Sequence, residues 1–463
     1  MNITKIETNK NKNYYYNTTT IKHKKYSPKK EFQVINVYPD LTFQEFIGFG
    51  GAITESTAYS YSLLPDEKKK EFMNDVFINS NYTFCRLPIG SCDFSLKSYA
   101  YSKKRDLSDF SIEKDKQYII PFIKDALKTN PNIRFLASPW SPPRFMKNTK
   151  IRCWGGKLLN KYRQTYADYI VKYIKSYEEL GINIEYITIQ NETNAMTKWE
   201  SCRFSSEKEV DFLVNYLYPT FQENGIKTKI LVYDHNKEKL LQRATEEFSN
   251  PKASNAAVGI AFHWYTGSHF ENIALCREKF PDKLLIHTEG CCGFNPNDSG
   301  ANHYAVDIAE DLNSGINGYI DWNILLDCNG GPNHKKNFCN SPIMLNSDNS
   351  DYNKTLAYYY IGHFSKVIKP GAVKIAHSKY TPDIKMTAFK NLDGSISVVM
   401  LNSVHYNVDF NLCIGDIMFK DTIEGNSMIS YLIEGITENL LSSNSFNFII
   451  SSLDKAIPFP IFS

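Results

Sequence analysis

The chain has 463 residues, is 42% hydrophobic and 14% aromatic, and carries a formal net charge of +3. That length fits two domains, or one large barrel with an accessory domain, and the nearly balanced charge gives no reason to expect a nucleic-acid partner. No run of about 18 apolar residues occurs, which excludes an integral membrane helix. Residues 1–30 hold eight Lys against one Glu. They read as a basic polar tail, flexible or partly stranded, with peripheral contact to an anionic lipid surface as the sharper alternative. The segment lacks the apolar core of a secretory signal, so the expected setting is cytoplasmic, or secreted if a signal was removed. The ten Cys are scattered, with no C-x-x-C pair and no His at zinc-like spacing. This points to reduced, mostly buried thiols and to no metal or other cofactor.

Residues 31–45, with "EFQVINVYPD", are expected to supply an N-terminal strand to a sheet near the C-terminus. From 46 to 370 short apolar runs alternate with longer helical patterns. The runs are "FIGFGGA" (46–52), "YTFCRLPIG" (82–90), "IRFLASPW" (133–140), "IEYITIQNE" (184–192), "KILVYDHN" (229–236), "GIAFHWY" (259–265), "LLIHTEG" (284–290) and "GYIDWNILL" (318–326). Near-continuous apolar strands indicate burial on both faces, as in a parallel sheet. Between them, Tyr166, Tyr169, Ile170, Tyr173, Ile174 and Tyr177 recur at the helical period. Eight such strands predict an α/β fold, a (β/α)₈ TIM barrel. A doubly wound sheet is the competitor, and its dinucleotide form lacks a G-x-G-x-x-G. Residues 371–463 change to period-two alternation, with Asp393-Gly394 as a hairpin signal, and are expected to form an antiparallel β-sandwich.

In such a barrel chemistry collects where the strands end. The ends supply Arg86 with Asp93 beyond it, Trp140, Asn191 and Glu192, Asp234 and His235, His263 to Tyr265, Glu289, and Asp321 to Asn323. Two carboxylates among Trp, Tyr, Asn and Asp describe a sugar site, in which aromatic faces stack on pyranose C–H faces and the polar groups bind hydroxyls. Cleaving a glycosidic bond needs one acid to protonate the leaving oxygen and a second carboxylate across the anomeric carbon. A separation of about 5–5.5 Å gives retention, and about 6.5–9.5 Å gives inversion. Strands four and seven face each other across an eight-stranded mouth. Glu192, preceded by an Asn191 suited to the sugar 2-hydroxyl, is assigned as acid/base and needs a raised pKa. Glu289 is assigned as nucleophile, its pKa lowered by a cation such as Arg86. Each residue also has a plainer reading: a solvent-facing Glu, a packing Trp, a capping Asp93, an Arg86 that only pairs ions, a His263 satisfied within the core.

The segments "GFGGAITES", "RLPIGSCDFS", "LASPWSPP", "ITIQNET", "AFHWY", "IHTEGC", "GYIDWNILLDCNGGPNHKKNFCNSPI" and "YYYIGHFSKVIKPGA" together resemble glycoside hydrolase family 30, and within it the glucosylceramidase branch. The resemblance implies a (β/α)₈ barrel with a β-sandwich and a retaining mechanism. It implies Glu192 as acid/base and Glu289 as nucleophile, with Asp93, Trp140, Asn191, Tyr265, Trp322 and Asn337 around the sugar and Arg86 and His263 near the carboxylates. Thr193 stands where the family often has proline, and "NAMTKWESCRFSSEKE" after it is only broadly similar, which leaves the aglycone open. The expected activity is hydrolysis of a terminal β-glucoside, glucosylceramidase-like, on a carbohydrate or glycolipid substrate. A β-xylosidase, β-fucosidase or β-1,6-glucanase is the alternative within the family. A carbohydrate-binding protein without catalysis is the alternative outside it.

Overall fold

The computed structural model describes residues 1–26 and 31–435. Eight parallel strands close into a barrel: Gly48–Ala52, Phe84–Ile89, Arg134–Pro139, Ile184–Thr188, Lys229–Asn236, Ala257–His263, Leu284–Glu289 and Gly318–Asn323, each paired with its sequence neighbours and the last with the first. Every apolar run noted above overlaps one of them. Their inward faces meet in a plug of Ile47, Phe84, Leu136, Tyr186, Leu231, Ala261, Ile286 and Ile320. Their outward faces pack on helices. One helix, Arg163–Glu178, buries Tyr166, Tyr169, Tyr173 and Tyr177 along one side. Burial on both faces is why these strands read as apolar throughout.

The plug determines what lies above it. Side chains on a strand return to the same face every second residue. Two residues beyond the plug therefore come Arg86, Ser138, Thr188, His263, Thr288 and Trp322, which form a polar layer under the barrel mouth. Strand five would place Tyr233 there. Instead Tyr233 and Asp234 have φ of +73° and +53°, and the ladder with strand six slips a residue at this level. The bulge brings Asp234 into the layer.

The second body is a ten-stranded sheet curled about its own core of Ile35, Ile375, Val398, Phe410, Tyr431 and their neighbours. The hairpin Ile384–Lys390 to Ile396–Asn402 turns at Asp393-Gly394, where Gly394 has φ +80°. Strand Val34–Glu45 enters as expected, antiparallel to Val373–Ser378. Its pairing with Val408–Ile414 is parallel, so the sheet is not wholly antiparallel. No hairpin joins those two strands, so no turn imposes a direction.

The basic N-terminus takes the stranded of its two expected forms. Strand Asn2–Asn9 pairs along its length with Ser427–Glu434, and Tyr14–Thr20 folds back on it. Ile3, Thr8 and Asn9 are buried. Lys5 Nζ lies 3.1 Å from Asp421, and Lys12 pairs with Glu424. The polar pattern that reads as a tail is a hairpin at the sheet's edge, where Lys5 and Lys12 meet acids of the sandwich. Residues 436–463, expected to complete the sandwich, lie outside the described residues.

Candidate active site

Arg86 is fully buried at the centre of the polar layer. Its Nη1 donates to Glu289 Oε2 at 2.5 Å, and its Nη2 donates to Asn191 Oδ1 at 2.8 Å and Asp234 Oδ2 at 2.7 Å. Its guanidinium carbon lies 4.7 Å from the Trp140 ring centroid, a cation–π contact. Asp234 Oδ2 also accepts from Ser138 and Thr188, while its Oδ1 accepts from Thr288 and faces His263 Nε2 at 3.0 Å. Burial alone would raise this carboxyl, but Arg86 and His263 hold it far below the ordinary Asp value.

Above this layer opens a cavity of about 480 Å³ lined by Asp93, Trp140, Glu192, Tyr265, Glu289, Trp322 and Asn337, among others. Seven of the ten residues singled out from sequence thus share one wall. Arg86 and His263 sit beneath it. Asn191 is buried below Glu192, with its amide oxygen taken by Arg86, so its NH₂ is the group left to donate. Trp140 and Trp322 stack at 5.4 Å between centroids. Asp93 Oδ2 accepts from Asn337 Nδ2 at 3.0 Å, and burial pushes its pKa up to about 7.

The two glutamates are held differently. Glu289 Oε1 accepts from Tyr265 Oη at 3.0 Å, so both its oxygens are tethered. Glu192 follows strand four in a left-handed backbone, φ +51°, an uncommon conformation for a residue other than glycine. Its N–H donates to the Asp234 carbonyl at 2.7 Å, which pins it to the strand-five bulge. Its carboxylate has no tether as close: Oε1 lies 3.9 Å from His263 Nδ1.

The electrostatics reverse one expectation. Burial raises the pKa of Glu289, against the opposing charges of His263 and Arg86. Burial also acts on Glu192, but His263, with His235 and Arg86, outweighs it, and its pKa is lowered. From sequence the acid/base was expected to be the raised group and the nucleophile the lowered one. Arg86 does sit on Glu289. What sequence does not reveal is a second cation beside Glu192. Burial disfavours the charge on His263, yet Glu289, Asp234 and Glu192 together raise its pKa to about 9. In the free site the exchangeable proton therefore rests on the imidazole next to Glu192.

Several cavity residues are absent from the sequence-based set: Phe94, Thr197, Trp199, Cys291, Phe338 and Cys339. Trp199 and Phe338 come from loops, where no periodicity marks them. The central anion, Asp234, appears in sequence only as a polar strand end. Ser138, Thr188 and Thr288 carried a usable signal, since each lies two residues past an apolar plug position.

Residues 46–368 match the glycosyl hydrolase family 30 TIM-barrel domain, and residues 371–431 match the family's beta sandwich domain. The chain is 31% identical to the lysosomal acid glucosylceramidase of Mus musculus over 428 residues, 86% of this chain and 83% of that protein. Its fold superposes on SrfJ from Salmonella typhimurium with a TM-score of 0.91 and 32% identity, covering 94% of this chain and all of that one. The endo-beta1,6-glucanase BT3312 superposes with a TM-score of 0.87 and 29% identity, covering 93% of this chain and 99% of that one.

Proposed function

The chain belongs to glycosyl hydrolase family 30, and on that premise we propose that it hydrolyses a terminal β-glucoside with retention, in the manner of a glucosylceramidase, using Glu289 as nucleophile and Glu192 as acid/base. The observation that carries this reading is the single cavity in which Glu289, tethered by Arg86 and Tyr265, and Glu192, beside His263, share a wall with stacked Trp140 and Trp322.

The reaction runs in two displacements. A Glu289 oxygen attacks the anomeric carbon as the glycosidic C–O bond breaks, and Glu192 gives its proton to the departing aglycone oxygen. Sugar in the cavity shuts water away from Glu192, and desolvation favours the neutral acid. The proton for it stands on His263 Nδ1, 3.9 Å from Oε1. In the second displacement Glu192 takes a proton from water, the hydroxide oxygen bonds to the anomeric carbon, and the ester to Glu289 breaks. Arg86 and Tyr265 aim the nucleophile and stabilise the carboxylate that departs. Asp93 and Asn337 are suited to sugar hydroxyls, and Trp140 and Trp322 to the ring's apolar face.

A β-1,6-glucan is the second reading, favoured by the likeness to BT3312. A panel of aryl β-glycosides, glucosylceramide and β-1,6-glucan separates the two. Within it, Glu289→Gln is expected to abolish turnover, and Glu192→Gln to slow poor leaving groups far more than good ones. Wild-type activity in Glu289→Gln refutes the assignment.

A further inference from the structure

Behind Glu289 lies a buried ionic cluster that the two displacements do not touch. Lys237, the residue after strand five, donates from Nζ to Asp307 Oδ1 and Oδ2 at 3.1 and 2.9 Å and to Asp311 Oδ1 at 2.9 Å. Both aspartates belong to the helix Ala301–Ser314. Asp311 Oδ2 is 2.7 Å from His287 Nδ1, and His287 Nε2 is 2.9 Å from the backbone carbonyl of Glu289. All four side chains are buried. His287, Asp307 and Asp311 offer ligand atoms within 4.8 Å of one another, the geometry of a cation site. The Lys237 ammonium is the cation they hold.

The proton count follows from the acceptor at one end. A carbonyl oxygen can only accept, so His287 Nε2 carries the hydrogen. A neutral ring then presents Nδ1 as an acceptor, and Asp311 must donate to it. The environment agrees: burial pushes His287 down to about 3 and Asp311 up. Lys237, the two carboxylates and the imidazole, with one proton shared between Asp311 and His287 Nδ1, carry no net charge on whichever side of that bond the proton sits, which lets the group sit in an apolar interior.

The Glu289 carbonyl lies where strand seven is losing its ladder. Regular pairing with strand eight ends at His287–Tyr319 and is followed by a single bond from Trp322 N–H to the Gly290 carbonyl, while the register with strand six shifts before Glu289 meets His263. The His287 ring is wedged against Tyr319, Phe262 and Trp264, with centroids 4.4, 5.4 and 5.7 Å away. It cannot turn without losing that packing.

We infer that His287, clamped by Asp311 and Lys237, is a positioning residue for the nucleophile: its Nε2–H holds the Glu289 carbonyl where the ladder is irregular, and fixes the Glu289 backbone and thereby the aim of the carboxylate. This rests on the reading of Glu289 as nucleophile.

The test is trapping of the full-length enzyme by an activated 2-deoxy-2-fluoro-β-glucoside, with the rate taken per titrated active site and the label located by mass spectrometry. His287→Leu is expected to trap on the order of 10- to 100-fold more slowly, with the affinity for a neutral competitive inhibitor unchanged. Asp311→Leu should be slowed likewise, and Asp311→Asn should recover most of that loss, because its amide N–H serves Nδ1 while its oxygen still accepts from Lys237. His287→Leu trapping at the wild-type rate, or losing only active fraction, overturns the inference. If His287→Leu does not fold, Asp311→Asn as slow as Asp311→Leu overturns it instead. A wild-type label on a residue other than Glu289 removes the nucleophile reading itself, an outcome distinct from both.

Discussion

Asp234 takes no part in bond making, yet five side chains converge on it: Arg86, Ser138 and Thr188 on one oxygen, and His263 and Thr288 on the other. It is the fixed anion that lets two cations, Arg86 and His263, stand in a buried layer, each under one of the two glutamates. A buried charge is tolerated only when paired and hydrogen-bonded, and here the pairing also sorts the roles. The consequence is a pH dependence. His263, raised to about 9, is charged below that pH and, on the proposed reading, supplies the proton that Glu192 passes on. As pH rises through this value the cation and its proton are lost together, so kcat/KM should fall on an alkaline limb well above the carboxylate range. The apparent pKa belongs to the His263–Glu192 pair. An alkaline limb that already falls near pH 5 in the kcat/KM profile would contradict the arrangement. From sequence alone both glutamates could be picked out, because each ends an apolar strand. Their pKa order could not, because it turns on a bulge at Tyr233–Asp234 that no residue pattern announces.

Among the elements, the N-terminal hairpin departs furthest from its sequence. Strand Asn2–Asn9 is polar at most positions, and what buries Ile3 and Thr8 is Ser427–Glu434, more than four hundred residues away. Local pattern cannot contain that partner. The barrel strands were readable for the opposite reason: each buries both faces, so its apolar run needs no knowledge of neighbours. The hairpin also reaches the barrel. His363, on the helix Leu356–Ser365, is gripped between Thr8 Oγ1 and Ser430 Oγ, each at 2.9 Å, and Tyr16 Oη donates to the Tyr358 carbonyl. The first strand therefore clamps sandwich to barrel. Ile3→Ala removes a buried side chain from that clamp and should cost about 2–4 kcal/mol, read as a lower midpoint in urea. A midpoint change worth less than about 0.5 kcal/mol, the usual range for surface positions, would mean that the strand contributes little.

For the molecule as a whole, the barrel's layering joins sequence to chemistry. An apolar plug sets the height of the polar layer, the layer sets the two cations, and the cations set the carboxylates that share the mouth. The sandwich is tied to this body through Thr8, His363 and Ser430, and among the described residues it contributes none of those that line the cavity. Fold and site were accordingly readable together, since one rule, that strand ends carry the chemistry, covers Arg86, Trp140, Glu192, His263, Glu289 and Trp322. Loop-borne groups such as Trp199 and Phe338, which also line the cavity, escape that rule. The proposed function implies two displacements at one carbon, with the sugar held on Glu289 between them. Proton NMR of an aryl β-glucoside reaction, recorded before the released sugar mutarotates, reads this from the first-formed product. The β-anomer is the predicted result, and the α-anomer would contradict it.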